Sequence, residues 1–174
     1  MIYQELRYTC GPASIVNLMK AYGRNYSERY IADLAKTNSY SRGTTNKRLI
    51  KTIKKLGIHA FQRKYADHRT AFKALDKAIL EFGQPCILTV DNGYHWVACL
   101  SAHKGGFTSR GRNQYLIVDS GWGYHNKLEN GVRFYSRPKL KRRWYSDHEG
   151  YHVVFTCPKE KANELEKLIG EFDE

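Results

Sequence analysis

The chain changes its dominant periodicity at Pro85, and that change limits the folds open to it. Before it, apolar residues recur at helical spacing. Ile15, Val16, Leu18, Met19 and Tyr22 form a stripe that Gly23 stops, and Pro12 suits the first turn. A second helix is expected from Ser27, turning Tyr30, Ile31 and Leu34 inward. A third runs from about Thr45, with Leu49, Ile50, Ile53 and Leu56 inward and Gly57 as its cap. A fourth covers about 70–82, closed by Gly83, and residues 59–62 between these two read as a short strand. After Pro85 the runs are short and rich in β-branched residues. Residues 86–90 and 94–100 flank Asp91-Asn92-Gly93, the strongest short-range hairpin signal a sequence can carry. Strands are expected at 115–118, 132–135 and 151–156, with a closing helix over 159–172. Helices first and an antiparallel sheet second is an α+β arrangement.

At 174 residues, 41% of them hydrophobic and 13% aromatic, the chain can bury a core and is not of disordered composition. No linker stands out, so a single domain over 1–174 is expected. Arg137-Pro138-Lys139-Leu140-Lys141-Arg142-Arg143 reads as a mobile basic loop. The start has no apolar stretch of signal-peptide length, and no apolar run approaches the roughly 20 residues that span a bilayer. The expected location is therefore cytoplasmic. Cys10, Cys86, Cys99 and Cys157 form no C-x-x-C pair, so neither a metal nor a cofactor is expected. The last three sit in apolar strand-like runs and read as buried, inert thiols.

Cys10 differs. In Thr9-Cys10-Gly11-Pro12 it opens a helix, where unsatisfied N–H groups and the positive end of the macrodipole favour a thiolate, the nucleophilic form. A capping or core cysteine would occupy the same position. His95 opens the strand after the hairpin, and Asp119 closes the strand after that. If those strands are antiparallel neighbours, the start of one lies beside the end of the other, and a carboxylate can fix the imidazole's tautomer. Gln4 can offer an amide N–H to a developing oxyanion, beside the Cys10 backbone N–H.

Gln4-Glu5-Leu6-Arg7-Tyr8-Thr9-Cys10-Gly11-Pro12-Ala13 resembles the Gln-x-x-x-x-x-Cys-Gly-Pro-Ala signature of the double-glycine (bacteriocin-processing) cysteine peptidases, a papain-like family. Gly43-Thr44 with the helix after it, Gln84 to Leu88 and His95-Trp96-Val97-Ala98 are similar too, as is the strand delivering Asp119. The match covers about 1–121. It implies a papain-like fold of N-terminal helices on an antiparallel sheet. It also implies a nucleophile at Cys10, a base at His95, an orienting acid at Asp119 and an oxyanion donor at Gln4. The implied reaction is cleavage of a peptide or isopeptide bond through a thioester, often after Gly-Gly. Ser120 stands where the family often has proline, and residues 122–174 have no counterpart in it. That basic C-terminal part is expected to complete or extend the sheet.

Two other functions fit the same residues: an amidase or acyltransferase acting on side-chain amides, and a non-catalytic basic binding module on this scaffold. Gly-Tyr-His recurs at 93–95, 123–125 and 150–152. His152 also opens an apolar strand and competes for the base. His95 is preferred because a strand ending in Asp119 follows it. His125 reads as a surface loop residue; His59, His68, His103 and His148 read as exposed. Asp91 and Asp147 read as turn residues, and Gly105-Gly106 as a flexible loop. The net charge of +12 suits an acidic peptide, a nucleic acid or an anionic membrane as partner, and equally a solvated surface. Arg110-Gly111-Arg112 and the 133–143 stretch interleave arginine with aromatics, a weak nucleic-acid signal without any known module. The expected partner is a protein or peptide substrate.

Overall fold

The computed structural model describes residues 2–38, 43–105, 113–121, 131–147 and 150–172. Helix α1 (Cys10–Ala21) is followed by α2 (Glu28–Leu34) and α3 (Asn46–Lys55), then strand β1 (Ile58–Tyr65) and α4 (His68–Asp76). The starts of α2, α3 and α4 lie where short polar side chains can take up free N–H groups. Ser27 accepts from the Tyr30 N–H at 3.2 Å, Thr45 from the Arg48 N–H at 3.4 Å, and Asp67 from the Arg69 and Thr70 N–H groups at 2.8 and 3.0 Å. α1 is not a surface helix with one apolar stripe: every residue from Cys10 to Met19 is buried. Tyr30 departs from its expected inward position. It is 50% exposed and stacks on Tyr26, so only Ile31 of that helix is an apolar side chain fully inside. The expected helix over 70–82 divides into α4 and a π-helical turn at Lys77–Glu81.

The second half supplies β2 (Cys86–Val90), β3 (His95–His103), β4 (Gln114–Val118) and β5 (Val132–Ser136). Helix α5 (Arg137–Trp144), a two-residue β6 (Tyr145–Ser146), β7 (Gly150–Pro158), a 3₁₀ turn at Lys159–Lys161 and α6 (Ala162–Gly170) follow. Together these strands and β1 make one antiparallel sheet in the order β1-β7-β2-β3-β4-β5, with β6 paired to the start of β7. The β2–β3 hairpin turns through Asp91 and Asn92 at φ 55° and 60°, the paired left-handed conformation that Asn and Asp tolerate best after glycine. β1 is longer than the four residues expected because β7 pairs along its whole length, from Ile58 opposite Pro158 to Tyr65 opposite Tyr151. β7 is thus an interior strand, between β1 and β2, although it comes from the chain's last quarter.

The sheet's two faces build two apolar clusters. Leu88, Val97, Cys99, Ile117, Phe155 and their neighbours meet α4, α5 and α6 on one side, where Phe72 stands edge-on to Trp144 at 5.2 Å. Ile87, Trp96 and Val154 meet α1 and α3 on the other, in a cluster that includes Cys10. The alternation is the period of two expected of a sheet covered on both faces. The basic run 137–143 is not a loop. It forms α5, anchored by Leu140 and Trp144, both fully buried, with Pro138 in the first turn. An i, i+4 apolar pair and an early proline are enough to make that short segment a helix once a core is there to receive it.

Candidate active site

One buried hydrogen bond sets the site. The Ser14 hydroxyl donates to the Trp96 carbonyl at 3.0 Å, tying α1 across the start of β3. Cys10 lies four residues before Ser14 and therefore on the same helical face, next to the strand end that carries His95. The Cys10 and His95 side chains lie close enough for the thiol to act on the charge of the imidazole. In β4, Val118 pairs with Ala98, so the end of that strand runs back past the start of β3 and brings in Asp119. His95 Nε2 and Asp119 Oδ1 are 2.7 Å apart. With Nε2 occupied, Nδ1 is the nitrogen left to serve Cys10.

The electrostatics follow from this packing. Burial works against a charged imidazole, but the hydrogen bonds and charges of Asp119 and Cys10 outweigh it and raise His95 to about 9. Burial likewise opposes the Asp119 carboxylate; His95 and Arg143 reverse that and hold it well below the usual carboxylate range. Both carboxylate oxygens are engaged. Oδ1 also accepts from the Gly121 N–H at 3.1 Å, and Oδ2 accepts from an Arg143 guanidinium nitrogen at 2.8 Å. The same guanidinium donates to the Tyr135 hydroxyl at 2.6 Å and clasps Asp91 with its other two nitrogens, one at 2.8 Å. Burial opposes this cation too, and the two carboxylates raise its pKa above the ordinary arginine value. Arg143, from α5, therefore links the hairpin turn to the carboxylate behind His95.

Two glycines make room. A Cβ on Gly121 would stand 2.9 Å from His95 Cε1, and one on Gly11 would stand 2.7 Å from Thr44 Cβ. Gln4 is buried beside the Asp119–Gly121 turn. Its backbone N–H donates to the Ser120 carbonyl at 3.3 Å, its Oε1 accepts from the Ser120 hydroxyl at 3.4 Å, and its amide nitrogen donates to the Leu6 carbonyl at 3.0 Å. On the other side of Cys10 opens a cleft of about 560 Å³, lined in part by Thr44, Asn46, Lys47, Tyr94 and Trp96. The Trp96 indole N–H donates to the Thr44 carbonyl at 3.0 Å, which fixes that wall.

The structure thus brings Cys10, His95 and Asp119 together and sets Gln4 against the residue after Asp119. His152 is wholly buried beneath the cleft wall, edge-on to Trp96 at 5.8 Å and 3.4 Å from the Asn46 amide, whereas the His95 side chain keeps 17% of its exposure. His59 pairs with Glu166 at 2.6 Å rather than standing alone in solvent. His125, His148, Gly106 and Arg110-Gly111-Arg112 lie outside the described residues. Sequence reasoning missed Arg143, Gly121 and Ser14. The Leu140–Trp144 spacing could have marked α5 as a helix, but nothing in the sequence aims Arg143 at Asp119. Among the described residues no cluster of His, Cys, Asp or Glu could hold a metal ion, and no helix is long and apolar enough to cross a membrane.

The family model described as "Peptidase C39 family" matches residues 1–146. No match appears among the curated proteins. Among solved structures, the peptidase domain of Streptococcus ComA, a bi-functional ABC transporter involved in a quorum-sensing pathway, is 25% identical. The likeness covers 91% of this chain and 97% of that one, with a TM-score of 0.63. A double-glycine-motif protease from an AMS/PCAT transporter, in complex with its leader peptide, is 16% identical over 91% of each chain, with a TM-score of 0.65. The peptidase domain of Streptococcus mutans ComA is 22% identical over 91% of this chain and 98% of that one, with a TM-score of 0.57.

Proposed function

We propose that this chain, which belongs to the peptidase C39 family and is a cysteine peptidase of the double-glycine type, cleaves its peptide substrate after Gly-Gly through a thioester on Cys10. The observation that carries the residue roles is the chain of contacts Cys10–His95–Asp119–Arg143, in which each group orients the one before it. Arg143 and the Gly121 N–H hold the Asp119 carboxylate. Asp119 fixes His95 with Nε2 protonated, so that Nδ1 faces the thiol. The proton moves from Cys10 sulfur to Nδ1, and the thiolate at the head of α1 attacks the scissile carbonyl carbon.

The carbonyl oxygen becomes an oxyanion and takes hydrogen bonds from the Cys10 backbone N–H, a first-turn donor without an intrahelical partner, and from the Gln4 amide. The imidazolium returns its proton to the leaving amine as the C–N bond breaks, leaving the thioester. Water, deprotonated by His95, attacks that thioester and releases the acid and the free thiol. Family membership supports the glycine preference.

The test is acid quenching and intact-mass analysis after mixing with peptides that differ only in carrying Gly-Gly or Ala-Ala before the scissile bond. A covalent adduct on Cys10 with the Gly-Gly peptide, weaker by at least tenfold with Ala-Ala, is expected. Cleavage without an adduct in the wild type, or with Cys10→Ala still active, contradicts the thioester.

A further inference from the structure

A second cavity, of about 260 Å³, lies between the end of α2 and the outer face of α3. Lys36, Lys47, Arg48, Lys51 and Lys55 line it together with Leu34, Ala35 and Thr52. Among the described residues no acid lines it. Lys36, Lys47, Lys51 and Lys55 make no ion pair among the described residues. Every charged residue of α3 is a cation, and two of them, Lys47 and Arg48, sit in its first turn with no acid there. Cations at a helix N-terminus oppose the macrodipole, so that placement works against the helix's own stability. Lys47 also lines the cleft beside Cys10. The two cavities therefore share a wall residue.

We infer that the groove between α2 and α3 receives an acidic segment of the peptide substrate, a few residues from the bond presented to Cys10. The inference rests on the peptidase reading above and names the chemistry of its substrate. From Lys47 to Lys55 the helix rises about 12 Å, the reach of roughly four extended residues, so the acidic stretch is short. Leu34 and Ala35 give aliphatic side chains beside the carboxylates something to pack against. A cavity of about 260 Å³ fits a short peptide segment better than a duplex or a lipid surface, both of which need a broad cationic face.

The test uses the full chain carrying Cys10→Ala and two fluorescein-labelled 14-residue peptides with a central Gly-Gly, flanked by alternating Glu and Leu or alternating Gln and Leu. Anisotropy at low salt is expected to show at least tenfold tighter binding of the Glu peptide, weakening as salt rises. Adding Lys51→Glu with Lys55→Glu removes that advantage. Lys51→Gln with Lys55→Gln, which introduces no repulsion, removes part of it, and an unchanged melting temperature certifies the fold of both. Equal binding of the two peptides, or a Glu preference that survives both substitutions, overturns the inference. So does a single-stranded DNA 14-mer, or a vesicle of anionic lipid, that binds more tightly than the Glu peptide with the same loss in the variants. If wild-type Cys10 forms no adduct while the Cys10→Ala chain still prefers the Glu peptide, the thioester reading falls and the groove stands.

Discussion

The two faces of the sheet use the same residue types to opposite ends. On the face covered by α4, α5 and α6, Cys86 and Cys99 are fully buried, and burial pushes both thiols far above their ordinary value. On that face too Asp76 accepts the Tyr115 hydroxyl at 2.6 Å and the Asn113 amide at 3.0 Å, which ties α4 to β4. On the face covered by α1 and α3, Cys10 is also buried, yet it sits at a helix start beside an imidazole; Asp119, just past the end of β4, is bonded to that histidine and to Arg143 from α5. The difference lies in what each buried polar group is given as a partner. A neutral partner locks a core; a chargeable one builds a reactive site.

The cysteines break or sharpen that contrast most strongly. Cys10→Ala is expected to lower the cleavage rate by roughly 10⁴-fold or more, the scale of losing a nucleophile, while Cys99→Ala costs about 1–2 kcal/mol of stability and spares labelling by a peptide-like thiol probe. Probe rates and chemical denaturation of both variants check this; labelling lost in Cys99→Ala alone would erase the distinction. The histidines come next. His95→Ala is expected to cost about 10³-fold in rate, as loss of a general base does, whereas His152→Ala lowers the melting temperature and leaves the pH profile of cleavage in place. A thermal scan and a pH–rate series separate them.

The third expectation concerns pH. His95 is raised from 6.5 to about 9 by Asp119 and Cys10 against its burial, so its ion pair stabilises the fold fully below pH 6.5 and is lost as pH climbs through 9. The loss is of order ~3 kcal/mol at 1.36 kcal/mol per unit, and it should vanish in His95→Gln when urea midpoints are compared at pH 6 and 9.5. Asp119, held low, contributes stability that disappears only as pH falls below the ordinary carboxylate range. The smallest effect is Arg143→Gln, for which roughly a 10- to 100-fold fall in rate is expected from loosening Asp119. Its acid limb moves to higher pH as the carboxylate loses a cation, with partial recovery in Arg143→Lys. A Gln variant with the wild-type acid limb would detach α5 from the site.

Much of this was legible because it was local. The Asp91-Asn92-Gly93 turn announces its own hairpin, and Ser27 and Thr45 announce their helices, since the bonds that form there span three residues or fewer. Cys10, His95 and Asp119 could be nominated from a helix start and two strand ends, positions that fix a side chain's direction with little help from elsewhere. What escaped depends on long-range meetings. Tyr30 has the helical phase of an inward residue, but Tyr26 covers it on the outside. The 137–143 run has the composition of a solvated loop and becomes a helix only because Leu140 and Trp144 find the core. Arg143 meets Asp91 across 52 positions of sequence, and no spacing rule anticipates that.

The interior place of β7 has a consequence for the order of events in synthesis. β1 and β2 are made early but have no hydrogen-bonding neighbour between them until residues 150–158 leave the ribosome. A nascent chain that already displays its thiol and its imidazole therefore lacks the middle of the platform they stand on. Pairing so distant in sequence is slow to form, and it delays the emergence of a competent protease until those residues have been made and have found their place.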